Sequence, residues 1–137
     1  MSTQIILDAA ARAAEIGNDL ANALMTATEE NKPAAKAKFI AVMQHGITQS
    51  KDAIVMLENG MDYESWEAYF IKCNSPATLA VMDIVDGELT KLHENVMKNG
   101  DLVGFYNEHI HNKMPSIAEM ESSIVNLTRI IAEVEAM

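Results

Sequence analysis

Residues 115–135 read PSIAEMESSIVNLTRIIAEVE. Within them Ile117, Met120, Ile124, Leu127, Ile131 and Val134 recur at alternating steps of three and four. A period near 3.5 sets these side chains in one narrow apolar seam along a helix of about five turns, and such a seam is stable only against other helices. The start of the helix is legible too. Pro115 precedes Ser116, and Ser116-Ile117-Ala118-Glu119 has the form of a capping box, in which serine and glutamate each satisfy an orphan amide. The expected class is therefore all-α.

Three further seams lie upstream. Ile6, Ala9, Ala13, Ile16, Leu20, Ala23 and Ala27 predict a helix over about Thr3 to Thr28. Ala13, Gly17 and Ala21 form a row of small residues beside it, which is expected to let a neighbouring backbone approach closely. After Glu29-Glu30-Asn31-Lys32-Pro33, with Asn31 as N-cap, a second helix runs to about Glu58 on Ile40, Met43, Ile47, Ser50, Ile54 and Leu57. Asn59-Gly60 stops it. Asp62 caps a short helix through about Lys72, and Ser75-Pro76 opens a longer one ending at Lys98-Asn99-Gly100. That longer helix carries Met82, Val85, Leu89, Leu92 and Val96, with Gly87 inside it as a point of kinking. Asp101 starts another short helix through about His111. The expectation is one domain over residues 1–137, a helical bundle of four long and two short helices. An intertwined dimer that shares its first and last helices is the alternative arrangement.

Composition bounds the function. The 137 residues are 49% hydrophobic, enough for a core, but only 5% are aromatic. A core rich in alanine and methionine gains less per residue than one rich in leucine and phenylalanine. Twenty acidic and ten basic residues give a net charge of −10. Binding nucleic acid directly, or an anionic membrane, needs a concentrated basic surface that this chain lacks. A basic protein partner fits the charge, including one that normally holds nucleic acid. Cys73 is the only cysteine, which rules out an internal disulfide and fits a reducing compartment. No basic leader or long uncharged apolar run is present, so the expected location is the cytoplasm.

Candidate functional residues are few. The segment Met61–Phe70 holds the only tryptophan, two of the three tyrosines, three acids and no base. Tyr63, Trp66 and Phe70 fall on one helical face, flanked by Asp62, Glu64 and Glu67. Acid-flanked aromatics suit a partner with a basic, apolar groove; the same spacing also suits rings that fill the bundle core. Glu108-His109-Ile110-His111 contains one Glu-x-x-His, and His93-Glu94 lies upstream. Di-iron bundles use that spacing twice with two more glutamates, so His93, Glu94, Glu108 and His111 make only a weak metal set, and no cofactor is expected. Asp83 and Asp86 are paired at i, i+3, as many carboxylates on a solvated face are. A thiol near a helix start can have a lowered pKa, but Cys73 is expected to be a half-buried structural cysteine. No nucleophile elbow, phosphate loop or dinucleotide fingerprint occurs. The sequence thus leads to a non-enzymatic regulatory or inhibitory protein that binds another protein. A ligand- or metal-binding bundle and a structural homo-oligomer are the readings from other classes.

Overall fold

Ser2 caps the first helix, α1 (Thr3–Met25), its hydroxyl accepting from the Gln4 amide at 3.0 Å. In the computed structural model, which describes residues 2–75, 78–80 and 87–137, α1 is followed by α2 (Lys32–Glu58) and α3 (Tyr63–Cys73). Then come α4 (Glu88–Asn99), α5 (Leu102–Phe105) running into a π-helical turn over Tyr106–Ile110, and α6 (Ile117–Glu135). The fold is an all-α bundle. Among the described residues there is no strand; a single bridge pairs Ser2 with Gly100 and pins the start of α1 beside the end of α4.

The decisive seam on α6 faces α2. The two helices run antiparallel: Lys36 Nζ donates to the Glu135 carbonyl at 3.2 Å, and where they cross, Gly46 would place a Cβ 3.1 Å from Leu127 Cδ1. Met120, Ile131 and Val134 are buried, and Ile117, Ile124 and Leu127 are half-buried. Ser116 caps α6 by accepting from the Glu119 amide at 3.1 Å. The other half of the expected box differs: the Glu119 carboxylate accepts from the Ser116 hydroxyl at 3.2 Å. The reciprocal box is at α3 instead, where Asp62 accepts from the Ser65 amide (2.8 Å) and Ser65 Oγ accepts from the Asp62 amide (3.0 Å).

Several details depart from the sequence expectation. α1 ends at Met25, three residues early, so Ala27 lies beyond it, and Ala13 and Ala23 are exposed while Leu24 is buried. Asn31 occupies the N-cap position of α2 without a side-chain cap; its backbone is helical already, and its amide donates to Thr28. In α2 the seam residues are only half-buried, and Ala53 and Met56 are the buried ones. Gly87 does more than kink a helix. Its φ of +67° is left-handed, and it stands as the N-cap of α4. Ser75 Oγ accepts from the Thr78 amide at 3.4 Å, and residues 78–80 are helical. Pro76, Met82, Asp83, Val85 and Asp86 lie outside the described residues.

Two core clusters result. One is aliphatic, with Ile16, Leu20, Leu79 and Leu89. The other is aromatic, with Met56, Trp66 and Tyr106 at its centre. The small-residue row of α1 does not meet a backbone: a Cβ on Gly17 would have nothing within 4 Å. Gly17, Ala9 and Ala13 instead line a cavity of about 280 Å³ between α1, α2 and α4. Arg12 ties two of its walls together, with Nε and Nη2 donating to the two Glu88 carboxylate oxygens at 2.5 and 3.1 Å.

Candidate functional site

The Asp62–Phe70 segment turns its rings inward and its acids outward. Trp66 is 2% exposed. Its ring packs on Phe70 (5.2 Å between centroids), Tyr106 (5.6 Å), Phe105 (6.0 Å) and Tyr63 (6.1 Å). The indole is therefore core, and a partner cannot touch it in this conformation. Tyr63 and Phe70 are half-buried in the same cluster. The Tyr63 hydroxyl donates to Glu67 at 2.5 Å; burial first, and then that bond, push it up to about 12. Glu67 is thus held by the cluster, while Asp62 and Glu64 are exposed.

The outer side of α3 meets the end of α2 in a shallow groove. Val55 is 56% exposed there. Met56 and Tyr69 form the floor, Ser65 and Ala68 one wall, and Asp52 and Asp62 stand at the rim. Lys72 Nζ pairs with Asp52 at 2.9 Å, which raises the lysine's pKa. Asp62 is held below the usual carboxylate range by its bonds from Ser65, so it stays charged. An exposed valine thus shares the groove with Asp52 of α2, with Asp62 at the start of α3 and with Lys72. Sequence reading placed Asp62 here but missed Val55 and Asp52, because only the α2–α3 crossing brings them to it.

The titratable candidates disperse. His93 lines the cavity, with its ring 6.0 Å from Phe70. Glu94 points out, and Glu108 and His111 are exposed. His109 stacks near Phe105 at 5.1 Å, with Nε2 3.6 Å from its neighbour Glu108. Among the described residues, no group of three or more His, Cys, Asp or Glu side chains could hold a metal. His45, on α2, lines the same cavity as His93. Desolvation lowers the pKa of both imidazoles, so both are neutral at pH 7. Cys73 is the last residue of α3, not the first of a helix, and is buried. Desolvation raises its pKa, offset in part by bonds to Gln49 and Tyr69, which leaves a thiol and not a reactive thiolate.

No helix among the described residues is long and apolar enough to cross a membrane. Compared with known proteins, the chain matches no family model, no curated protein and no solved structure.

Proposed function

We propose that the protein is a non-enzymatic binding module that regulates or inhibits a basic protein, including one whose basic surface normally holds nucleic acid. The observation that carries this reading is the α2–α3 groove, where Val55 is 56% exposed and Asp52 and Asp62 also line the surface. An apolar floor with a charged rim suits a segment that presents one apolar residue flanked by lysine or arginine. The net charge of −10 adds long-range attraction for a basic partner. A single cysteine, buried and unpaired, fits a reducing compartment such as the cytoplasm.

The test uses a lysine- and leucine-rich amphipathic peptide titrated into labelled protein and followed by NMR. Shifts should concentrate around Asp52, Val55 and Ala68. They should fade as added salt cuts the Debye length from about 10 Å to about 3 Å. Val55→Glu should abolish them. Shifts spread evenly over every acidic helix, or none at all, would refute the groove as the docking site.

A further inference from the structure

We infer that the cavity between α1, α2 and α4 is a binding site for a neutral, largely apolar small molecule of about eleven non-hydrogen atoms bearing one hydroxyl, carbonyl or amide group. Size comes first. An apolar cavity of about 150 Å³ accepts benzene, so one of about 280 Å³ scales to roughly eleven heavy atoms. Wall chemistry comes second. Ile6, Leu89, Leu92 and Val96 supply apolar surface from α1 and α4, and among the described residues the lining contains no Asp, Glu, Lys or Arg. A charged ligand would lose its hydration without gaining a counter-ion.

The polar groups come third. His45 on α2 and His93 on α4 line the cavity, and neither makes a hydrogen bond to any described residue. A neutral imidazole offers one donor and one acceptor. Two of them, on different helices of a largely apolar chamber, can orient a ligand through a single polar group, the pattern of small-molecule sites in general. The two amide side chains that also line the cavity already have partners. Gln49 is bonded to Cys73, and the Asn74 amide nitrogen donates to the Phe70 carbonyl at 2.8 Å. Backbone geometry completes the site, because Gly17 and Ala13 keep the α1 side open where larger residues would fill it.

The cavity shares no lining residue with the α2–α3 groove, so the two readings stand or fall separately. The probe is 2-naphthol, which is neutral and has eleven non-hydrogen atoms, compared with naphthalene and with 2-naphthoate. Fluorescence anisotropy should show saturable binding of 2-naphthol, about fivefold to tenfold tighter than naphthalene measured by competition. The anionic 2-naphthoate should bind more weakly than either. Gly17→Leu, which grows a side chain into the chamber, should abolish binding while circular dichroism keeps its helical signal. The His45→Leu/His93→Leu double variant, which needs no space at α1, should bind naphthalene at least as well and lose the preference for 2-naphthol. No saturable binding of 2-naphthol to the wild-type protein would overturn the inference. So would binding untouched by a folded Gly17→Leu variant, or a preference for 2-naphthol that survives the loss of both histidines.

Discussion

Gly17→Ala should make this protein more stable. Glycine inside a helix costs about 0.5–1 kcal/mol relative to alanine, largely because the unfolded glycine has more freedom to lose. Gly17 sits well within the 23 residues of α1, and a Cβ there would meet nothing within 4 Å. Nothing offsets the gain, so the full ~1 kcal/mol should appear, a rise in Tm of about 3–5 °C for a chain of this size. Two other glycines calibrate the argument. At Gly46 the new carbon would lie 3.1 Å from Leu127 Cδ1, inside the α2–α6 crossing, so the helical gain is opposed by displacing a seam leucine. At Gly100 it would lie 2.5 Å from the Val96 carbonyl oxygen and 3.1 Å from Ile6 Cγ1. That backbone cannot yield cheaply, and Gly100→Ala should cost about 1–3 kcal/mol or more. Urea titrations followed by far-ultraviolet circular dichroism should rank Gly17→Ala first and Gly100→Ala last, with Gly46→Ala between them. A Gly17→Ala variant less stable than wild type would refute the reasoning, for it would mean that another backbone does press on α1 at that point.

Trp66→Ala should cost about 3–5 kcal/mol in the same assay, because the indole is 2% exposed and touches four rings; a loss under 1 kcal/mol would put the ring outside the core. Stability should fall as pH drops below the ordinary histidine value of 6.5, since His45 and His93 titrate lower in the folded protein and the unfolded chain then binds more protons. The contribution is fully present above 6.5 and is lost as pH descends towards the folded values, so replacing both histidines with glutamine should flatten that slope between pH 6.5 and 5. Arg12→Lys should weaken the α1–α4 tie despite keeping the charge, because Arg12 engages both Glu88 oxygens through two nitrogens. A double-mutant cycle with Glu88→Gln should give a favourable coupling that shrinks with salt, and a coupling of zero would remove the pair from the account of how α4 docks.

What could be read in advance was what is local. Ser116 and the seam behind it specify α6 from within about twenty residues, since a cap and a period are both short-range signals. Asp101 announces α5 in the same way, accepting from the Gly104 amide at 3.0 Å. What escaped depends on neighbours distant in the chain. α2 touches α1, α3 and α6, so apolar residues point several ways and a one-face seam misplaces the buried positions, Ala53 and Met56. Trp66 has the same spacing to its acids whether it faces in or out; only the presence of Phe105 and Tyr106, about forty residues later, decides. Nothing local marks Val55 among the apolar residues of α2, and the groove it shares with Asp52 and Asp62 exists only once α3 folds back across α2.

The cavity has a compositional origin. The chain holds seven aromatic residues, and six of them, Tyr63, Trp66, Tyr69, Phe70, Phe105 and Tyr106, gather in or against the cluster around Trp66. Large rings fill volume and bury area with few side chains, so that end packs without glycine or alanine at its centre. The aliphatic cluster beside it closes with Leu79 and Leu89 against Ile16 and Leu20 of α1, whose neighbouring positions Ala9, Ala13 and Gly17 line the cavity. Helices held apart by leucine and isoleucine at some levels cannot also be touched by alanine and glycine at the levels between, because the backbone is stiff over several turns. The empty volume follows from that mismatch. Replacing the small residues with larger apolar ones should therefore stabilise the free protein in proportion to the volume filled, as long as the new side chains find unstrained rotamers.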